Sequence, residues 1–259
     1  DYNSQSGEFR ENRGICHMQR SHIEKAWKPP IWKALVIPPL VLLLLFANTE
    51  TLMEKEDTRI YKVYCMGDSI TYGKGVPEEE RAEASYPAVL GKLLGSRYEV
   101  VNYGVSGRTL LDIPEKSYRA TGYLDIVKLQ QPDIIIVMLG SNDSRRGRWD
   151  AGKYKEAYLA FVRELQEIES APDIYIMAPP EAFPREDGNI IHGIRNDIIH
   201  DEIGRIVREV AEETGVHMID LYAVTEDHPE YFYDGVHPNQ EGYAIVAQAI
   251  YEQLDKKGS

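Results

Sequence analysis

The sequence predicts an α/β fold, a three-layer α/β/α sandwich around a central parallel sheet of about five strands. Three observations lead there. From Arg59 onward, short apolar runs alternate with helical patterns, and that alternation builds a parallel sheet with helices on both sides. The run Ile134-Ile135-Ile136-Val137-Met138-Leu139 is apolar on both faces, as a central strand covered by helices must be. Finally, Ile199, Ile203, Ile206, Val207 and Val210 recur at three- and four-residue steps, which lays one buried stripe along a helix.

In chain order, the first strand is expected over Ile60–Met66, followed by a helix over Tyr86–Leu94 and a second strand over Tyr98–Tyr103. A helix over Ser117–Gln130 leads to the third strand, Asp133–Leu139, and a helix over Lys153–Ile168 leads to the fourth, Asp173–Ala178. The striped helix, Asp197–Thr214, precedes the fifth strand, His217–Asp220, and a last helix covers Asn239–Leu254. Cys65 lies inside the first strand and reads as a small buried apolar residue. There is no internal repeat, low-complexity tract or composition break after residue 60, so residues 59–256 form one domain. In such a sheet, ligands bind beyond the carboxyl ends of the strands. Three glycine-containing turns fall there: Gly67–Gly73, Gly104–Thr109 and Gly140–Asp143.

The 259 residues carry a formal net charge of -13, which argues against nucleic acid or an anionic membrane surface as partner of the folded part. Residues 1–47 differ, with six Lys/Arg against four Asp/Glu. Within them, Ala34–Ala47 is an uncharged run of 14 residues behind Lys25, Lys28 and Lys33. It is short for a bilayer span, which needs about 20 residues, and it has the basic flank and apolar core of an export signal. Pro38-Pro39 opposes the alternative of a buried core helix. The expectation is a signal peptide or membrane anchor over 34–47, a disordered basic segment over 1–33 and a linker over 48–58. The folded domain over 59–256 then lies outside the cytoplasm, secreted, periplasmic or membrane-anchored. Cys16 precedes the apolar run, so no disulfide framework is available to the main domain.

The chemistry is concentrated at the turns. Met66-Gly67-Asp68-Ser69-Ile70-Thr71 puts a serine hydroxyl where a strand ends, and Asp234-Gly235-Val236-His237-Pro238-Asn239 puts an acid and an imidazole three residues apart. A serine, a histidine and a carboxylate are the parts of a nucleophilic hydrolase. Asn102-Tyr103-Gly104-Val105-Ser106-Gly107-Arg108-Thr109 offers glycines that let backbone N–H groups approach a ligand, and Gly140-Ser141-Asn142-Asp143 offers a side-chain amide donor. Such donors stabilise the oxyanion of an ester's tetrahedral intermediate.

These four blocks, in this order from Gly67 to Asn239, resemble the GDSL/SGNH hydrolase family, named for the Ser, Gly, Asn and His of its blocks. The first block reads Gly67-Asp68-Ser69-Ile70, with isoleucine where the family usually has leucine. The resemblance implies the flavodoxin-like α/β/α sandwich of that family. It also implies Ser69 as nucleophile, His237 as general base and Asp234 as the acid that orients it. Gly107, through its backbone, and Asn142, through its side chain, would join the Ser69 amide in an oxyanion hole. The blocks around Asn102–Leu111, Met138–Ser144 and His192-Gly193-Ile194-Arg195 are similar to the sialate O-acetylesterase-like group of carbohydrate acetyl esterases. The implied activity is cofactor-independent hydrolysis of short-chain, acetyl esters on carbohydrates or small molecules. Lysophospholipase, thioesterase or acyltransferase activity on the same scaffold is an alternative, as is a non-catalytic glycan-binding module.

Other residues carry less. Arg108 is a candidate substrate contact or the partner of an acid. Asp68 and Asp143 are expected to brace their turns by hydrogen bonding rather than move protons. His192 and His200 lack metal-ligand spacing, so no metal is expected, and His228 reads as a surface turn. Thr71 replaces the last glycine of a Gly-x-Ser-x-Gly elbow, which opposes the α/β-hydrolase fold. No Walker A or dinucleotide-binding glycine pattern occurs, so no nucleotide cofactor is expected.

Overall fold

Strands and helices alternate throughout the residues described by the computed structural model, 59–255. The expectations for residues 1–33, 34–47 and 48–58 and for Cys16 fall outside them. In chain order the elements are β1 (Tyr61–Gly67), α1 (Tyr86–Leu94), β2 (Tyr98–Gly104), α2 (Tyr123–Gln130) and β3 (Ile134–Met138). There follow α3 (Ala151–Gln166), β4 (Asp173–Ala178), α4 (Gly204–Thr214), β5 (His217–Asp220) and α5 (Gln240–Asp255). All five strands are parallel, in the order β2-β1-β3-β4-β5. The winding direction reverses between β1 and β3, and at such a point the loops on either side diverge and leave a crevice.

Successive side chains of a strand point to opposite faces, and both faces here are covered. Tyr64 and Met66 of β1 and Ile135 and Val137 of β3 pack with Val127 of α2, Phe161 of α3 and Val207 of α4. Val63, Cys65, Ile136 and Met138 pack on the other side with Leu90 of α1 and Val246 and Ile250 of α5. Each fully buried Ile or Val contributes about 1.5–3 kcal/mol over its exposed state. That double burial is why β3 has no polar face. Cys65 is fully buried within this packing, as the sequence suggests, and burial pushes its thiol pKa well up, away from reactivity.

Two helices differ from expectation. Gly122, at φ 75°, separates a 3₁₀ turn (Tyr118–Thr121) from α2, so Ser117–Gln130 is not one helix. The cause is tertiary. The Tyr118 amide donates to the Thr109 carbonyl at 2.8 Å, and its hydroxyl to the Tyr103 carbonyl at 2.7 Å, so this segment is tied to the turn after β2. Before α4, residues Ile199–Ile203 form a wide π turn preceded by a short α turn, Asn196–Ile198. All five residues of the predicted stripe are nonetheless buried. Among the described residues, no helix is long and apolar enough to cross a membrane.

Candidate active site

Gly67 is in register with Gly104 on one side and with Met138 on the other, so β1, β2 and β3 end level and their turns share one rim. After β1, Asp68 caps a single helical turn, Ser69–Tyr72, by accepting the Ile70 amide at 2.9 Å. Its second oxygen accepts from the Asn142 side-chain amide at 3.1 Å. One N–H of Asn142 is thus spent on orientation, and an amide carries two. Asp143 accepts the Leu111 and Leu110 amides at 2.8 and 3.1 Å, tying the turn after β3 to the segment that follows Gly107. Both acids therefore brace turns, as expected. Gly107 has φ 80°, and a Cβ there would meet nothing within 4 Å. The requirement at that position is backbone conformation, not space.

Burial pushes the Asp68 carboxyl up to about 6 and Asp143 up to about 7, against the hydrogen bonds that each accepts. A carboxyl with a raised folded pKa holds its proton more tightly folded than unfolded. The contribution of Asp143 to stability therefore falls as pH rises from about 4 to about 7. Thermal denaturation of wild type and Asp143→Asn between pH 4 and 8 checks this. The wild type's Tm relative to the variant's should fall across that window, and a difference independent of pH would contradict it.

The acid and the histidine share one loop. Asp234 Oδ1 accepts the Val236 and His237 amides at 3.1 and 2.9 Å, and Oδ2 lies 2.8 Å from His237 Nδ1. Gly235 makes this loop possible: it has φ 85°, its carbonyl accepts the Phe183 amide at 2.7 Å, and a Cβ would collide with the Phe183 carbonyl oxygen. Across the rim, His237 Nε2 lies 2.9 Å from Ser69 Oγ. An Nδ1–H donated to the carboxylate leaves Nε2 free to accept the serine proton. Burial raises the Asp234 carboxyl, but the bonds from the His237 ring and amide and the Val236 amide outweigh it and hold it at about 2. Asp234 is thus ionised at any ordinary pH. Both Ser69 and His237 are buried, at 8% and 2% exposure.

Ser69, Gly107, Asn142 and His237 line one cleft of about 200 Å³. Larger hollows, of about 430 and 350 Å³, contain no serine–histidine pair. Arg108 does not line the cleft, and its guanidinium donates to the Glu115 carbonyl at 2.5 Å. Lys74, Arg145 and His192 do line it, although sequence reasoning placed none of them at the site. His192 had a signal, since its His-Gly-Ile-Arg block is part of the resemblance to acetyl esterases. Its ring centroid lies 6.0 Å from that of His237, and its backbone takes φ 59°. His200 lines a different hollow, and His228 pairs with Glu230 at the surface, 2.8 Å away. Among the described residues, no group of three or more His, Cys, Asp or Glu is placed to hold a metal ion.

The family profile of GDSL-like lipases and acylhydrolases matches residues 65–245, which spans every group just described. The chain belongs to that family. It is thus a carboxylic ester hydrolase of GDSL type. An acetylxylan esterase of Geobacillus stearothermophilus is 32% identical over 218 residues, 74% of this chain and 93% of that protein. An acetylxylan esterase of Xylanibacter ruminicola is 32% identical over 216 residues, 76% of this chain, and this GDSL hydrolase spans 43% of that longer protein. The fold of this family member is similar to that of a carbohydrate acetylesterase from Sinorhizobium meliloti, with a TM-score of 0.64 at 21% identity, covering 76% of this chain and 99% of that one.

Proposed function

We propose that this GDSL hydrolase is a serine esterase that removes acetyl groups from carbohydrate esters. The observation that carries the reading is the continuous chain from Ser69 Oγ through His237 to Asp234, with contacts of 2.9 and 2.8 Å. His237 takes the Ser69 proton as Oγ attacks the acyl carbon. The Ser69 and Gly107 amides and the free N–H of Asn142 receive the oxyanion. His237 then protonates the departing sugar hydroxyl, and water repeats the sequence to release acetate and restore the serine. A cleft of about 200 Å³ favours a short acyl group over a long alkyl chain, and the two relatives at 32% identity are acetylxylan esterases. A complete triad sets the reading apart from a non-catalytic glycan-binding module, which has no use for one.

Acetate release from acetylated xylan, together with kinetics on acetyl, octanoyl and palmitoyl aryl esters, tests the proposal. Acetyl should be strongly preferred. A steep preference for long chains would instead point to the lysophospholipase or thioesterase reading. Asn142→Ala should lower kcat on the acetyl ester about 10²–10³-fold with little change in KM, because its donor acts on the transition state. An unchanged kcat would remove Asn142 from the oxyanion hole.

A further inference from the structure

We infer that the cleft contains an anion-binding subsite, formed by Arg145, Lys74 and His192, that receives a carboxylate carried by the sugar of the acetylated substrate, as in a uronic acid. The inference rests on the acetyl-esterase reading, since an acetyl group is too small to carry the charge itself.

Four observations support it. The first is position: Arg145, Lys74 and His192 line the same cleft as Ser69, and no carboxylate lines it with them. They come from the turns after β1 and β3 and from the segment after β4, so the cluster belongs to the rim and not to one basic stretch of chain. The second is the lack of internal partners. Among the described residues, three arginines have a buried Nε with no acceptor: Arg81, Arg108 and Arg145. Arg81 and Arg108 still donate through their terminal nitrogens, to the Tyr72 hydroxyl and the Glu115 carbonyl. Among the described residues, the Arg145 and Lys74 side chains form no hydrogen bond or ion pair, and the hydrogen bonds of both residues run through backbone atoms alone.

Third, the nearby carboxylates are already committed. Asp68 is held by Ile70 and Asn142, and Asp234 by His237 and its own loop. Fourth, the positive charge of Arg145 and Lys74 goes uncompensated, with Arg148 beside Arg145 and with His192 kept neutral, an N–H donor and not a third cation. Partial burial and then Arg148 lower the Arg145 pKa, and burial followed by Lys74 and Arg145 lowers that of His192. A half-buried guanidinium with a cation beside it and no acceptor is unfavourable in the free enzyme. A substrate carboxylate would relieve this, since Arg presents a planar donor fork that matches it. In a chain of net charge -13, such a concentration of unpaired cations at the nucleophile is a local property of the cleft, not of the surface at large.

The test compares acetate release by the purified protein from an O-acetylated methyl galacturonoside and from its uronamide, which keeps the shape and removes the charge. At pH 7 the uronate should have a kcat/KM about ten- to a hundredfold higher, mainly through KM, the size of one or two charge-assisted hydrogen bonds. Arg145→Met and Lys74→Met should each shrink that ratio and the double variant should bring it to about one, while Arg145→Lys keeps part of it. Equal hydrolysis of uronate and uronamide by the wild type overturns the subsite and leaves the acetyl-esterase reading standing. Failure on both sugars, with an aryl acetate still cleaved, removes both. A ratio that survives in the double variant, with the uronamide still hydrolysed, overturns these residues as the subsite.

Discussion

Ser69→Ala is expected to lower kcat/KM on an aryl acetate about 10⁴–10⁶-fold, leaving only the residual rate that an oxyanion hole and binding supply. The expectation follows from the single role open to the side chain. Ser69 Oγ lies 2.9 Å from His237 Nε2, and the capping of its helical turn is done by Asp68 and Gly73. Alanine should therefore leave the fold intact, with a Tm close to wild type. Removing the hydroxyl removes the nucleophile, and nothing else lining the cleft at hydrogen-bond distance from Nε2 replaces it. If a well-folded Ser69→Ala protein hydrolyses the ester at the wild-type rate, the serine mechanism is wrong and another group in the cleft attacks.

The second large effect is expected at Asp234. Asp234→Asn should lower kcat about 10⁴-fold. The carboxylate oxygen 2.8 Å from Nδ1 fixes the tautomer in which Nε2 is a base, and it stabilises the imidazolium formed when the serine proton moves. An amide can turn its NH₂ toward Nδ1, which makes that nitrogen the acceptor and puts the proton on Nε2, where it blocks transfer. The loop should survive the change, because the asparagine carbonyl can still accept the Val236 and His237 amides that Oδ1 accepts now. Asp234→Ala loses both functions, so it should match Asn in rate but fall below it in stability by the loss of those two bonds, about 1–2 kcal/mol, seen as a lower Tm. Rates and melting curves of the two variants separate orientation of the histidine from support of the loop. A mild rate loss in Asp234→Asn would show that His237 is held in its working tautomer by something else. Since Asp234 is held at about 2, it titrates far below the working range and supplies no acid limb to the activity profile near neutrality.

The chain alone carried most of the architecture, because strands, helices and turns are written in spacings of a few residues. The five strands occur where the apolar runs stand, shifted by a residue or so, and the Ile199–Val210 stripe is buried. The helix expected over Ser117–Gln130 failed for a nonlocal reason, as Tyr118 bonds to Thr109 and Tyr103 and not to a helical turn. The meeting of Ser69, His237 and Asp234 was legible because each sits in a short block whose pattern is local: a strand-to-turn serine and an acid three residues before a histidine.

Lys74, Arg145 and His192 were not legible in that way. They are ordinary charged or ring side chains in three separate segments, with no spacing that relates one to another. Only the parallel register, which brings the ends of β1, β2 and β3 to one level, gathers them around Ser69. Local patterns state which groups a chain owns and which backbone shapes it prefers. Which of those groups face the same few ångströms of space depends on how distant strands align, and that is decided by packing both faces of the sheet at once.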